Sequence, residues 1–487
     1  MSVSEPRRIR PPLERGSGGK GTDAGAGPYR PQGRDGPREE WMMNACSTEH
    51  GGARRLGLAI LAVLLAAGTA AAAPLSLQEA VEMALDRNPG LASVRYDLKS
   101  AEGSRLSSYN AFVPTVGLSG SFRQSTYRYD DPRVDLSTGR LIAGGMDESY
   151  QVQGSIRQNL IDLPSIYQFK ASGEDVGAAR ASYRVSEADL IYQVRQQYYL
   201  LLQAIRLAEV AEDALEVSEE QLRKSEALFE LGSVARTDVL QARVNRAAAV
   251  QEEISARNAV EFERAQLAIL LGLEVGEPLE IALDVENPPA AEELEEQPLI
   301  AQAQQGLPEV DRARAQLAGA ADRKKAAFWN QFPSMDGSLF YSKEQETFAG
   351  LTDLDDLKQG AAWGFGFGVS WNIFDGFNTI GNIKRTRANH AAAREELRRQ
   401  RLAAALGVRQ ALIAIQDARE GVRAAEESVN LASENLKLQQ ALYENGGGTI
   451  LELNNAQVEH TRARNSHVEA QVALHLAFAQ LDRALGR

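Results

Sequence analysis

The sequence has little of several features that mark common protein classes. Its single cysteine in 487 residues, Cys46, excludes a disulfide framework and a cysteine-based zinc site. Basic residues (53) are outnumbered by acidic ones (66), and the net charge of -13 argues against broad nucleic-acid binding. A mean hydropathy of -0.32 excludes a bundle of membrane-spanning helices, and an apolar content of 44% excludes a wholly disordered chain.

The N-terminal segment has the pattern of an export signal. Residues 1–41 are rich in glycine, proline and arginine, which predicts a disordered extension or a misassigned start before Met42 or Met43. Residues 42–72 place two arginines before the apolar run 56–67 and then small residues, as in a signal peptide cleaved after Ala72. A membrane anchor is the alternative, although a span needs ~20 predominantly apolar residues. Residues 1–55 carry a net charge of +3. Because the whole chain has a net charge of -13, the remainder has a net charge of -16 and is acidic.

The rest of the chain contains an internal duplication. The sequence LFELG at 228–232 recurs as LYENG at 442–446, an offset of 214 residues. The sequence NLID at 159–162 recurs as NIFD at 372–375, an offset of 213. These matches predict a first repeat over 73–286 and a second over 299–487, joined by an acidic, proline-rich linker at 287–298.

Apolar residues recur at every seventh position in both repeats. The two series are Val194, Leu201, Ala208, Leu215, Leu222 and Phe229, and Val408, Ile415, Val422, Val429, Leu436 and Tyr443. Alanine stands four residues before members of the second series, which predicts left-handed supercoiling. An ordinary amphipathic core helix is the alternative. The first long helix is predicted from about Ser165 to Leu231, ~100 Å in length. Returning helices are predicted to start at Thr237 and Ile450.

Four short segments alternate with a period of two, which predicts strands at about 115–128, 149–161, 334–342 and 361–374. In the last segment Trp363, Phe365, Phe367 and Trp371 share one face, and small residues occupy the other. This length and aromatic face are typical of a membrane β-barrel, although a soluble sandwich would alternate in the same way. Four strands cannot close a barrel in lipid, so copies of the chain must share one. Two copies give a filled interior, whereas three copies leave a lumen.

The chain resembles the TolC-like outer-membrane efflux proteins in its mature start, Leu75–Pro89, and in the duplicated segments 228–238 and 442–452. The resemblance implies a mainly α fold with a β-barrel. A homotrimer would share a 12-stranded barrel in outer-membrane lipid, above a tunnel of coiled-coil hairpins that extends into the periplasm. It also implies two partners, a periplasmic adaptor (membrane fusion protein) and an inner-membrane pump of the RND, ABC or MFS type. The complex would export drugs, metals or proteins, as in tripartite efflux or type I secretion. No enzyme activity, no cofactor and no nucleic-acid partner is expected.

The resemblance also implies roles for residues at the two helix tips. The family's two gating acids fall on Glu452 and on Asn455, a neutral amide. Its gating tyrosine falls on Tyr443, and its Thr-Asp pair falls on Thr237 and Asp238. The adaptor would contact the two turns, which comprise Gly232, Ser233, Val234, Gly446, Gly447 and Gly448. Because a family arginine falls on glycine at 448, its salt-bridge network is in doubt here.

The tip residues support the expectation of a cation-selective pore whose closure depends on Glu452, Asp238 and Tyr443. The alternative for Glu452 is an acid at a helix start, favoured by the helix dipole.

No motif predicts catalysis or metal binding. The glycine-rich run 364–368 lacks the lysine of a phosphate-binding loop. His460, His467 and His475 are seven and eight residues apart, and two helical turns of ~11 Å are too far for one metal ion. Two other functions remain as alternatives to a channel. One is a non-conducting trimeric envelope-spanning structural protein or adhesin, and the other is a soluble secreted coiled-coil binding protein.

Overall fold

The computed structural model describes residues 74–283, except 135, 138 and 140, together with 295–348 and 361–487. The predicted extension, the predicted signal peptide and Cys46 lie outside the described residues, as does most of the predicted linker. No helix within the described ranges is long and apolar enough to cross a membrane.

The first repeat begins with two short helices, α1 (Leu77–Arg87) and α2 (Pro89–Ser107), and a 3-10 turn at Ser108–Ala111. Ser76 and Glu79 close a capping box at the start of α1. After two strands, α3 (Leu163–Glu230) runs for 68 residues, and α4 (Arg236–Leu270) returns beside it. The prediction of one very long helix followed by a returning helix is confirmed.

The second repeat follows the same order. It contains α5 (Glu296–Gly306), α6 (Pro308–Trp329), two strands, α7 (Asn378–Glu444) and α8 (Ile450–Leu485). The helix α5 includes residues 296–298, which were predicted as linker. Pro298 is tolerated there because the first helical turn has no intrahelical partner for a backbone N–H.

The strands β1 (Thr115–Val134), β2 (Leu141–Ile161), β3 (Ser334–Gln345) and β4 (Ala361–Ser370) form one antiparallel sheet in the order β1-β2-β3-β4. Val116, Ile156, Leu339 and Phe365 stand side by side across all four strands. On the opposite face the neighbouring row is Gly117, Ser155, Phe340 and Gly364. The sheet therefore has one apolar face and one face of mainly small or polar residues.

The strand ends differ from the prediction in two ways. The β1–β2 hairpin extends further, to Val134 and from Leu141, because backbone pairing continues after the apolar alternation stops. The strand β4 ends at Ser370, four residues before the predicted end. Trp371 has left the sheet, and its indole Nε1 donates to the carbonyl of Gln331 at 3.0 Å.

The seven-residue pattern marks the buried face of α7. Val408, Ile415 and Tyr443 are buried, as are Ala404 and Ala411. In α3 the predicted series is buried at Val194 and Leu201, but Phe229 is 44% exposed. Towards the end of α3 a parallel stripe is buried instead, comprising Ala204, Ala211, Ser218 and Ser225. Both stripes repeat every seven residues, and the one with small side chains lets a neighbouring helix approach closely.

A charged cluster joins the C-terminal end of α8 to both repeats. The Arg483 side chain donates from Nε to Asp189 of α3 at 2.7 Å and also pairs with Glu309 of α6. Arg483 and Glu309 are mostly buried, with side chains 18% and 16% exposed. The cluster therefore fixes the last turn of the chain against α3 and α6.

Candidate gate at the hairpin tips

The first tip joins α3 to α4 through a glycine-dependent turn. Gly232 adopts a left-handed conformation with φ of 73°, and the N–H of Ser233 donates to the carbonyl of Leu228 at 2.9 Å. This geometry ends a helix and favours glycine. Asp238 lies in the first turn of α4, where Thr237 donates to its carboxylate at 3.3 Å.

The second tip joins α7 to α8 and ends in a capping box. The Thr449 hydroxyl and backbone N–H both donate to Glu452 Oε2 at 2.9 Å, and the Glu452 N–H donates back to the hydroxyl at 3.3 Å. These hydrogen bonds from Thr449 lower the pKa of the Glu452 carboxyl below its usual value. Glu452 therefore caps the helix and stays ionised, and it remains exposed, as does Asn455.

The three glycines of the second turn are not equivalent. Gly446 has φ of 73°, which favours glycine. A Cβ at Gly448 would lie 3.2 Å from the Leu442 Cβ and 3.3 Å from the Tyr443 backbone nitrogen. A larger residue there must displace the end of α7, so the turn is packed tightly against its own helix.

Two buried polar side chains lie next to the second tip, and only one of them, Tyr443, was singled out from the sequence. Asn454 is 7% exposed, and neither of its side-chain amide atoms has a hydrogen-bond partner. The buried Tyr443 hydroxyl is likewise without a partner. In α3 Gln221 and Ser225 are buried too, and they bond to each other at 3.4 Å. The packing near the tips is therefore polar and incompletely hydrogen-bonded.

One ion pair links the two hairpins close to their tips. Lys224 of α3 contacts Glu444 of α7 at 3.1 Å and Glu220 of its own helix at 3.0 Å. Hydrogen bonds that Lys224 donates to Glu220 and Glu444 raise the pKa of Lys224, and Lys224 lowers the pKa of Glu444. The Lys224–Glu444 link is therefore present above the ordinary carboxyl pKa and is lost as pH falls through the lowered pKa of Glu444.

Replacing Asn454 with leucine is expected to stabilise the second tip. Burying an amide without partners costs ~1–3 kcal/mol, and leucine has a similar volume without that cost. Amide hydrogen exchange across residues 440–456 should slow by about fivefold or more. The exposed neighbour gives the control, since Asn455→Leu should leave exchange unchanged. Equal exchange in the two variants would mean that the Asn454 amide is satisfied when the protein is assembled.

The apolar face of the sheet is exposed in the single chain. Trp363, Phe365 and Phe367 of β4 are each more than 70% exposed, and Val116 and Leu118 of β1 are exposed as well. Position 364 favours glycine, because a Cβ there would lie 2.9 Å from the Phe340 ring. The apolar face therefore needs a cover.

Among the histidines of α8, His475 contacts an aromatic ring of α3. His475 stacks on Tyr199 with ring centroids 4.9 Å apart, and burial lowers its pKa. No group of metal-ligating residues occurs within the described ranges.

An open sheet with an exposed apolar face, continued by two long helical hairpins, defines a channel-type outer-membrane protein built from several copies. The sequence matches the family model "Outer membrane efflux protein" at residues 80–273 and 299–487. The chain belongs to the outer membrane efflux protein family. It is therefore an outer-membrane efflux channel subunit of a tripartite system, and its helical hairpins extend into the periplasm.

Known members share most of the chain. It is 23% identical to the outer membrane protein TolC of Escherichia coli over 422 residues, covering 84% of this chain and 83% of TolC. It is 25% identical to the protein CyaE of Bordetella pertussis, covering 85% and 84% of the two chains. The structure resembles the CmeC outer membrane channel of Campylobacter jejuni, with a TM-score of 0.73, 18% identity and coverage of 84% and 85%.

These similarities confirm the predicted fold class and channel function. They do not favour the non-conducting structural protein, adhesin or soluble binding protein considered above. The family consists of channel proteins, not enzymes. Its members work as trimers with periplasmic adaptors and inner-membrane pumps, as the resemblance implied.

Proposed function

We propose that three copies of this chain form a closed ring that conducts cargo passively across the outer membrane. The supporting observation is that a single chain leaves two unpaired edges in its sheet and two in its layer of helical hairpins. In the sheet, β1 and β4 are the end strands. In the two hairpins the helices pack in the order α4, α3, α8, α7, so that α4 and α7 are the end helices.

The end helices carry exposed apolar residues where another copy would pack. These are Leu240, Val244, Phe262 and Ile269 on α4, and Leu402, Leu406, Ile413, Leu431 and Leu438 on α7. Because the two surfaces differ, copies would associate head to tail, and a contact of this kind forms a ring when its rotation closes on the first copy. Three copies supply twelve strands, enough for a barrel with a lumen lined by the face of small and polar residues.

In this assembly the hairpin tips form the end that meets the adaptor and the pump. The turns at 232–234 and 446–448 are exposed apart from Val234 and Gly448, which are partly exposed. Energy for export would come from the pump, and this chain would supply no catalytic chemistry. Mass measurement of the detergent-solubilised particle tests the ring, and a stable monomer with full β content would contradict it.

The gate of the channel would be a ring of three Glu452 carboxylates, with Asp238, Thr237, Tyr443 and Asn455 close by. Two like charges ~8 Å apart repel by only about 0.5 kcal/mol in water, so the ring costs little. Capping by Thr449 occupies one carboxylate oxygen and leaves Oε1 without a hydrogen bond. The ring would attract cations, and the neutral Asn455 would make it weaker than one with two acids per chain.

Single-channel recording of the purified protein in planar bilayers tests both conduction and this gate. Glu452→Gln removes the charge and keeps a residue that can complete the capping box. This variant should lose cation selectivity and block by a trivalent cation while conduction persists. The pKa of Glu452 is lowered from the ordinary glutamate value of 4.5. Wild-type cation selectivity should therefore persist at pH 4.5 and be lost as the pH falls further.

Thr449→Ala is the matched control, because it breaks the cap and retains the charge. Wild-type selectivity in Glu452→Gln, or its loss in Thr449→Ala alone, would show that Glu452 acts only as a helix cap. A trimer without conductance would instead favour the envelope-spanning structural protein.

A further inference from the structure

The first half of α7, directly after the sheet, is strongly basic in an otherwise acidic chain. Between residues 378 and 409 it carries eight basic residues and two acidic ones. The chain as a whole has a net charge of -13. The local excess of positive charge is therefore a separate feature of this helix.

Within this segment three arginines form a row. Arg387, Arg394 and Arg401 are seven residues apart, which places them on one side of the helix at intervals of ~10.5 Å. All three are exposed, and none of them pairs with an acidic group within the described residues. Many other arginines of the long helices do pair with an acid, such as Arg206, Arg246, Arg264, Arg399 and Arg423. The row is therefore not an ordinary ion-paired helix surface.

The row lies near the side of α7 that carries the short helix α5. Gln304 of α5 donates to the Arg401 carbonyl at 3.4 Å, and Glu296 of α5 approaches Arg409 at 3.9 Å. In a closed ring of helices an additional layer such as α5 fits on the outer surface, not in the lumen. In the proposed ring the arginines would then lie on the outer surface, in the periplasm.

The position of the row along α7 decides between a lipid surface and a polymer. Arg387 lies nine residues after Asn378 and Arg401 lies 23 residues after it, or ~14 and ~35 Å along the helix. A flat layer of lipid headgroups next to the sheet would reach the start of this range but not its end. A polymer in the periplasm can follow its whole length.

We propose that this row, Arg387, Arg394 and Arg401, binds the carboxylates of the peptidoglycan cell wall. Guanidinium groups form paired hydrogen bonds with carboxylates and are always charged. In the proposed trimer the row would occur three times around the ring, so that weak contacts add through multivalency. Binding would anchor the channel laterally where it passes from the membrane to the cell wall. The proposal depends on the periplasmic location of α7 and not on the gate.

Co-sedimentation of the full-length, detergent-solubilised protein with purified peptidoglycan sacculi tests this proposal. The variant Arg387→Gln/Arg394→Gln/Arg401→Gln should bind about tenfold more weakly than the wild type, since it loses the charges that attract a polyanion. High salt should release the wild-type protein, because the contacts are exposed. The matched control is Arg206→Gln/Arg399→Gln/Arg423→Gln, which removes the same charge from paired positions and should bind like the wild type.

Three other results would overturn the proposal. Equal binding by both triple variants would mean that net charge alone attracts the protein. If the row variant loses binding to phosphatidylglycerol vesicles but binds sacculi like the wild type, the row contacts a lipid surface. Dissociation of the trimer in the row variant would assign the row to a contact between copies. Single-channel conductance should be unchanged in the row variant, so a failure here is distinguishable from a failure of the channel proposal.

Discussion

Replacing Phe367 with arginine is expected to keep the protein out of the outer membrane. Phe367 is 73% exposed on the apolar face of β4, midway between Trp363 and Trp371 in the sequence. An arginine near the bilayer midplane of a barrel costs ~2–4 kcal/mol, and a trimer would contain three of them. The amount of protein in the washed outer-membrane fraction should fall to near background, and the remainder should be degraded or aggregated.

The neighbouring position supplies the control for this prediction. A Cβ at Gly366, on the opposite face, would meet only the Ser338 hydroxyl at an ordinary 3.5 Å. Gly366→Arg therefore places the same charge on the lumen side and should still insert. If both variants insert equally well, the apolar face is not in contact with lipid.

Replacing Arg483 with methionine is expected to destabilise the packing of the end of α8 against α6 and α3 by ~3–5 kcal/mol, the usual cost of removing one partner from a buried ion pair. The change would leave Glu309 mostly buried, and one of its oxygens has no partner even in the intact cluster. Asp189 would lose its contact with α8 as well. Thermal unfolding followed by the helical circular dichroism signal should shift to clearly lower temperature.

Two further variants separate the charge effect from a packing effect. Arg483→Met/Glu309→Met removes both members of the buried pair and should recover much of the lost stability. Arg398→Met breaks an exposed pair with Glu395 and should change little, because such pairs contribute ~0–1 kcal/mol. A double variant as unstable as Arg483→Met would mean that the arginine acts through its shape and not its charge.

The sequence was most informative where a repeat coincides with a physical requirement. The seven-residue pattern through Val408 and Ile415 predicts a long supercoiled helix, since only such a helix keeps those positions on one face. The alternation around Phe365 and Phe367 predicts a strand for the same reason. Helix starts were predictable from local chemistry, and α8 begins at Ile450 as expected because Thr449 and Glu452 form a capping box.

The sequence was less informative where a choice depends on contacts between distant segments. Two seven-residue stripes run along α3, and nothing local indicates that Ser218 and Ser225 are buried while Phe229 is exposed. The Lys224–Glu444 pair joins residues 220 positions apart, and no motif marks it. Asn454 next to the tip looks no different in sequence from Asn455, yet only one of them is buried. Such features emerge only after the hairpins have packed together.

The even number of strands contributed by each chain has a consequence for pore size. With four strands, the last strand of any copy runs antiparallel to the first strand of the next, however many copies the ring contains. Strand pairing therefore permits any number of subunits and does not determine that number. The helices must determine it, through the angle at which the α4 surface of one copy meets the α7 surface of its neighbour. Changes at those two surfaces would alter the diameter of the conduit without affecting its insertion into the membrane.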